Sequence, residues 1–514
     1  GNGNGRPGNG QSTACNWNMD WDRTVNFEYL NQEGEMVVNQ ETAMERCGGW
    51  SRAWTPYSFK LKANKRYELQ NYLPCQFFAG KPYLKHKTLQ IRNGGNDNTC
   101  RIKDPALQEI VFRSGLDVDC QAYQPVMHYI NGRYAGVINM REPNNKHFVY
   151  ANYGLDDDEI DQFEMSPDSG YVQKCGTYES MRRWYELAKQ CGSDEEAYEE
   201  IRRMVDIDEY CNYMAVEFYL GGTDWPQNNV KGFKPIMEGG RFRFVLFDLD
   251  GTFATTSPFT TFAGKQTYTF DRLYGEPVTH ITKEIEFVTI FLNMIKNETF
   301  RKQFVDTYCL VAGSVFEPGR CKDIINELAN RVSDTQNVWN EVYWQSSTPW
   351  GTANNLISNL SVSRQSTMVS ALRSYTNMGV SRLTAQDVQL SANIPEARLM
   401  VNNLPVPTNK FKGKLFAPIT FKSQAPAGYR FLGWKLVEGS STNAATLIPD
   451  ESSWLYYDQG SLDGEDWTAA NYGTSGWSTG QAPLGYFVGG DRYTNTYLDY
   501  GGNDSRKRPT YYFR

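Results

Sequence analysis

Two short stretches carry the residue types that hold a divalent cation and move a phosphoryl group. The first is Thr223-Asp224-Trp225-Pro226-Gln227-Asn228-Asn229, in which an Asp and an Asn stand five positions apart. The second is Asp248-Leu249-Asp250-Gly251-Thr252, directly after the apolar run Phe242–Phe247. Carboxylates and amide oxygens are the hard ligands that Mg²⁺ takes. Phosphoryl transfer needs groups held in line and charge neutralised, with little covalent help. On this reading Asp224 receives the proton of an acceptor hydroxyl and Asn229 holds a metal ion, with Asn228 a close second. Asp248 is the candidate metal-bridging carboxylate and Asp250 a second ligand. Each piece also has a plainer reading, because Asp, Pro and Asn favour turns and an Asp commonly opens the loop after a strand. Their occurrence in this order tips the balance towards chemistry.

The elements that must position these residues follow the order helix, loop, strand, acidic turn, which is how protein kinases arrange the same parts. Asp206 is expected to cap the helix, with Glu209 completing a capping box. Ile207, Cys211, Met214, Ala215 and Phe218 fall on one helical face, and Gly221-Gly222 ends the run. A competing mechanism starts from Val245-Leu246-Phe247-Asp248-Leu249-Asp250-Gly251-Thr252, which resembles the first motif of haloacid-dehalogenase-like phosphatases. There Asp248 would be a nucleophile and Asp250 a general acid and base. That motif belongs to a fold of alternating strands and helices, which the flanking sequence does not suggest.

Around this region the chain changes character twice. From Thr24 to about Tyr150 it reads as strands and turns: Thr24–Tyr29, Ser58–Lys62, Thr88–Arg92, and Pro125–Ile130 joined to Tyr134–Met140 by the hairpin turn Asn131-Gly132. From about Leu155 to Thr384 helical patterns dominate, among them Phe287–Ile295 and Cys321–Val332, with Gln345–Asn354 read as a loop. Beyond Ala392 short aromatic-rich strands recur, including Ala427–Leu436 and Trp454–Tyr457, at the spacing of a β-sandwich. The expected division is therefore a flexible Gly/Asn-rich leader at 1–13, a β-rich part at 14–150, a mostly helical part at 151–391 and a β region at 392–514, its last module incomplete.

The 514 residues suffice for two or three domains. A net charge of −7 and the lack of a basic run argue against nucleic acid as a partner. No apolar stretch is long enough for a transmembrane segment. The Gly/Asn-rich start reads as a mature terminus left after leader removal. Ten cysteines without a CxxC pair leave disulfides and buried thiols as equal readings. The four histidines lack metal-ligand spacing. Trp434, Trp454, Trp467 and Trp477 make the C-terminal region a candidate glycan-binding surface, although tryptophans in small β modules are more often core.

Several segments together resemble the CotH (spore coat protein H) kinase-like family, in an exported bacterial subgroup. They are Gly49-Trp50-Ser51-Arg52 with Ser58-Phe59-Lys60-Leu61-Lys62, Ile91-Arg92-Asn93-Gly94-Gly95-Asn96-Asp97, Ile130-Asn131-Gly132-Arg133-Tyr134 through Met140-Arg141-Glu142, and the two acidic motifs. The resemblance covers roughly residues 20 to 390. It implies an α+β fold: an atypical, two-lobed protein-kinase-like core with a β-rich N-lobe and a helical C-lobe, followed by small all-β modules. It implies transfer of the ATP γ-phosphoryl group to a protein hydroxyl, Ser above all, with Mg²⁺ as cofactor, by a secreted or envelope-located protein. Arg92 and Glu142 become cleft residues by the same resemblance, with pairing of Arg92 to a carboxylate as its structural alternative. Members often carry a Lys pair before the Ser-Phe-Lys segment; here Pro56-Tyr57 stands there. Lys60 is favoured over Lys62 for contact with phosphate, and only one of the two is expected to face the cleft. The Asn93–Asp97 stretch lacks the spacing of a Walker loop and reads as a turn. A different class remains open beside the enzyme: a non-catalytic envelope scaffold whose β region holds a glycan or another protein.

Overall fold

The computed structural model describes residues 21–97, 100–167, 169–272, 279–343, 346–437, 452–486, 494–503 and 505–514. The expected leader at 1–13 and Cys15 lie outside them. The chain divides into two units, one ending at Phe431 and one beginning at Leu432. The first is mixed α+β.

Its first sheet is formed by β1 (Arg23–Leu30), β2 (Met36–Arg46), β3 (Phe59–Lys62), β4 (Thr88–Arg92), β6 (Tyr123–Ile130) and β7 (Arg133–Arg141), in the order β1-β2-β3-β4-β7-β6. The hairpin of β6 and β7 turns through Asn131 and Gly132, both at positive φ, as its Asn-Gly pair requires. The sheet is two-faced because successive side chains alternate. Phe59, Leu61, Leu89, Ile91, Ile138 and Met140 point into a core shared with Leu73, Phe77 and Phe78. The opposite face is polar. Lys60 stands across from Gln90 and Lys62 across from Thr88; Gln90 in turn stands across from Arg141 and Arg92 from Asn139.

A second sheet runs β5 (Asp119–Cys120), β11 (Arg243–Leu246), β10 (Lys231–Pro235), β8 (Ile160–Ser166), β9 (Gly170–Cys175). Only the β5–β11 pair is parallel. Of its strands β11 was expected, within the apolar run Phe242–Phe247, while β8, β9 and β10 fall in the stretch read as mostly helical, being short and interleaved with helices.

The helix Ile207–Leu220 forms where expected and ends at Gly221 in the left-handed region. It is buried nearly all round rather than on one face, with Ile207, Cys211, Met214, Ala215 and Phe218 joined in the core by Tyr210, Tyr213 and Tyr219. The capping box does not form. Asp206 instead pairs with Arg243, and Glu209 accepts the Phe244 amide at 3.1 Å. Glu217 on this helix is 2% exposed and forms no ion pair among the described residues, so burial raises its carboxyl well above the ordinary value. The sign follows: above the unfolded pKa of about 4.3, folding must hold a proton that the unfolded chain releases, so stability falls with rising pH. Replacing Glu217 by Gln removes that proton linkage. Urea denaturation of Glu217→Gln against the wild type should show the variant's relative stability climbing by up to ~1.4 kcal/mol per pH unit above about 4.3. A difference independent of pH would contradict a protonated Glu217.

The stretch expected as a loop at Gln345–Asn354 enters the helix Pro349–Asn359, Pro349 occupying the first turn where its missing N–H costs nothing. The helix expected at Cys321–Val332 runs further, from Pro318 to Tyr343. Its Trp339 ring lies against Gly136 of β7, where any Cβ would overlap the indole. The Arg101 guanidinium stands 5.1 Å from the ring centroid, Tyr343 stacks on Trp339 at 4.1 Å and donates its hydroxyl to the Tyr134 carbonyl.

The β region expected from residue 392 is divided. Strands Ala385–Ser391, Arg398–Val401, Lys410–Phe416 and Phe421–Gln424 belong to the first unit, where Leu399, Val401, Phe411 and Leu415 join the main core. Ala427–Leu436 is not a strand. No ladder forms on it among the described residues, and Tyr429 and Leu432 stay exposed. The second unit holds the three-stranded sheet Ser478–Gln481, Ser453–Tyr457, Tyr512–Phe513. Trp467 and Trp477 pack there with Tyr457 and Tyr512. The described cysteines are free thiols, most of them buried, so the thiol reading holds for them.

Candidate functional site

The hairpin of β10 and β11 aims the acidic turn. Asp248 leaves β11 in the left-handed region, φ 58°, and a short 3₁₀ turn Leu249–Gly251 follows. That conformation costs an Asp little compared with most residues. Arg92, from the polar face of the first sheet, donates to Asp248 Oδ1. Burial opposes the Arg92 charge, but Asp248, Asp104 and Asp250 outweigh it and keep the guanidinium ionised. Thus Arg92 does pair with a carboxylate, and that carboxylate belongs to the acidic turn rather than to the Asn93–Asp97 turn.

Asp250 is tied differently. Its Oδ2 accepts the Asn96 amide at 2.8 Å and its Oδ1 accepts the Asn96 side chain at 3.1 Å. Burial and the neighbouring Asp248 charge push its carboxyl up to about 7. The Gly-Gly turn is what lets Asn96 approach. Gly95 sits at φ 58°, and a Cβ there would overlap Asp250 Oδ2. Replacing Gly95 by Ala should therefore detach Asn96 from Asp250. The expected cost is about 1–3 kcal/mol of stability in thermal or chemical unfolding, and a variant as stable as the wild type would show the clasp to be dispensable.

Two further groups brace this turn. Lys103 Nζ donates to the Asp250 carbonyl at 2.6 Å. Asp104, 3% exposed, accepts the Leu249 amide at 3.0 Å and Gln108 at 2.8 Å on one oxygen and is ion-paired with Arg141 on the other. Burial alone would raise the Asp104 carboxyl, yet Arg141 and Arg92 hold it below the ordinary range.

The Asp224 loop lies beside the turn. The Thr223 amide donates to the Gly251 carbonyl at 3.1 Å. Trp225 is buried against Phe218 and Phe262 and donates its indole N–H to Tyr213 at 3.1 Å. Asp224 itself is exposed, and partial burial of its carboxyl together with the Asp248 charge raises it. Asn228 and Asn229 are half-buried, and Asn229 has φ 54°. Their side-chain amides make no hydrogen bond among the described residues.

Lys60 and Lys62 share the polar sheet face, since residues two apart in a strand always do; the expectation that only one faces it is corrected. Lys62 is engaged by Glu45 and by Asp22 at 3.2 Å, whereas Lys60 forms no ion pair or hydrogen bond among the described residues. Glu142 is not brought to the cluster. It is fully buried, pairs with Lys81 at 2.5 Å and accepts the Ala122 amide and Asn152, both at 2.9 Å.

Sequence reasoning passed over Asp104, Lys103, Gly95 and Asn96. The Gly94-Gly95 step was the available signal for the last two; Asp104 and Lys103 are ordinary first-turn helix residues whose contacts with the acidic turn reach across more than a hundred positions. The donor set around Asp248 is oxygen-only and suits a hard cation such as Mg²⁺, which is commonly held by one or two carboxylates and completed by substrate phosphates. Among the described residues no group of three or more His, Cys, Asp and Glu is arranged to hold a metal by itself. The phosphatase alternative expects a doubly wound parallel sheet; here β11 is antiparallel to β10 and parallel to β5 over two residues only.

A loop bearing Asp and Asn, an antiparallel hairpin and a braced acidic turn tied to the first sheet through Arg92 define a kinase-like arrangement. Residues 45–377, more than half of the chain, match the family model described as CotH kinase protein, and the chain belongs to that family. No curated protein matches it. No helix among the described residues is long and apolar enough to cross a membrane.

Proposed function

We propose that the chain is an atypical protein kinase that transfers the γ-phosphoryl group of ATP to a protein hydroxyl, probing first for Ser, and that it works outside the cytoplasm. The observation carrying this reading is the convergence of Arg92 on Asp248 next to Asp224 and two disengaged Asn amides. In this reading the β-rich half covers the nucleotide and the helical half carries the catalytic loop.

Mg²⁺, when bound, would neutralise the charge gathering on the transferred phosphoryl group. Asp248 would hold it with Oδ2, the oxygen that Arg92 leaves open, and Asn228 or Asn229 would add an amide oxygen. Asp250 serves mainly to clasp the Gly94–Asn96 turn and only secondarily as a ligand, because both its oxygens already accept hydrogen bonds from Asn96. Lys60 and Arg92, on one sheet face, would contact the phosphates. Asp224, exposed at the loop, orients the acceptor hydroxyl and takes its proton.

The test is transfer of label from γ-labelled ATP with Mg²⁺, to the protein itself and to a generic Ser-containing acceptor, with nucleotide-dependent thermal stabilisation read on the same samples. Label on protein supports the kinase. Stabilisation without transfer would reduce the reading to a nucleotide-binding pseudokinase, and the absence of both would overturn it.

A further inference from the structure

Lys265 lies outside every motif considered so far, just beyond the short helix Pro258–Ala263. Its ammonium donates to the Thr223 carbonyl at 2.8 Å, the Trp225 carbonyl at 2.7 Å and Gln227 Oε1 at 2.8 Å. An ammonium has three N–H donors, and here each meets one acceptor. The two carbonyls are those on either side of Asp224. Gln227 closes the ring by donating to the Thr223 carbonyl at 2.7 Å. The loop therefore wraps around one cation while the Asp224 side chain stays exposed.

We infer that Lys265 is a positioning residue: its ammonium clamps the backbone on both sides of Asp224 and so fixes where that carboxylate meets the acceptor hydroxyl. The consequence for catalysis rests on the kinase reading; the clamp itself does not. The remaining anchors of the loop are the Thr223 amide on Gly251 and the buried Trp225 ring. Neither holds the carbonyls of both residues adjacent to Asp224, as Lys265 does. Lys265 also lowers the Asp224 carboxyl by its charge, against the Asp248 charge that raises it. It is burial that draws its own ammonium down, to about 8, with Asp224 acting against the shift.

Lys265→Met keeps the stem and deletes the three donors. Hydrogen exchange followed by mass spectrometry on the full chain should show amides in Thr223–Asn229 exchanging on the order of tenfold faster or more, while the helix Ile207–Leu220 is unchanged. In transfer assays kcat should fall on the order of 10- to 100-fold and by more than any rise in KM for Mg-ATP, because the clamp holds the backbone at Asp224 while Asp248, on a separate turn, would keep the metal. Unchanged exchange in Thr223–Asn229 would overturn the clamp, whatever the activity. Faster exchange with kcat intact, or a loss carried by KM for Mg-ATP, would overturn its role in placing Asp224. If the wild type transfers nothing, the kinase reading fails, and the exchange experiment alone still decides whether Lys265 holds the loop.

Discussion

Asp248→Asn should abolish transfer, with a loss on the order of 10³-fold or more, while leaving the protein folded. The substitution is isosteric, so the left-handed turn after β11 can survive, and Asn tolerates that conformation as well as Asp does. What disappears is the charge. Arg92 loses one partner but keeps the Asp104 and Asp250 carboxylates nearby, so it is not left as a lone buried cation. A neutral amide holds a divalent cation far less well than a carboxylate, and nucleotide-dependent stabilisation should shrink together with turnover. Asp224→Asn provides the contrast: it should lower kcat with Mg-ATP binding retained. If Asp248→Asn kept more than about a tenth of the activity, the metal-bridging role would have to move elsewhere in the cluster.

The second large effect is on stability. Asp104→Ala should cost about 3–5 kcal/mol, because it strands the fully buried Arg141 and leaves the Leu249 amide without its acceptor. Arg141 already has an unpartnered Nε, and its remaining hydrogen bond among the described residues would be the one to the Gln121 carbonyl at 3.3 Å. Removing both charges together, as Asp104→Leu with Arg141→Met, should recover much of it, since a paired burial is expensive mainly when broken in half. Chemical denaturation of the two singles and the double forms the required cycle. A single variant within about 1 kcal/mol of wild type would show that water reaches Arg141.

Much of this was legible from local pattern. The strands at Ser58–Lys62 and Thr88–Arg92 were legible, and Asn131-Gly132 gives the hairpin, whereas the shared face of Lys60 and Lys62 was misassigned because residues two apart in a strand point the same way. Gly221 gives the end of the helix before the Asp224 loop. The capping box failed for a tertiary reason: Asp206 and Glu209 found Arg243 and the Phe244 amide, partners that lie outside the helix's own sequence. Ala427–Leu436 has strand composition, but a strand is a pairwise object and composition cannot supply the neighbour. Glu142 was read as a cleft residue from resemblance alone, and its partner Lys81 lies in a stretch without a motif. Lys265 was invisible for a related reason, since a lysine after a short helix is ordinary until the carbonyls around its ammonium are seen.

The seating of Trp339 against Gly136 has a mechanical consequence. The long helix is keyed into the first sheet like a pin in a slot, with Arg101 and Tyr343 both against the ring. Swinging the sheet away from the helices would draw the indole from its slot, at a cost of about 3–5 kcal/mol by analogy with deleting a buried aromatic. Any motion of the first sheet relative to this helix therefore carries that cost, and the packed ring acts as a latch between the two elements.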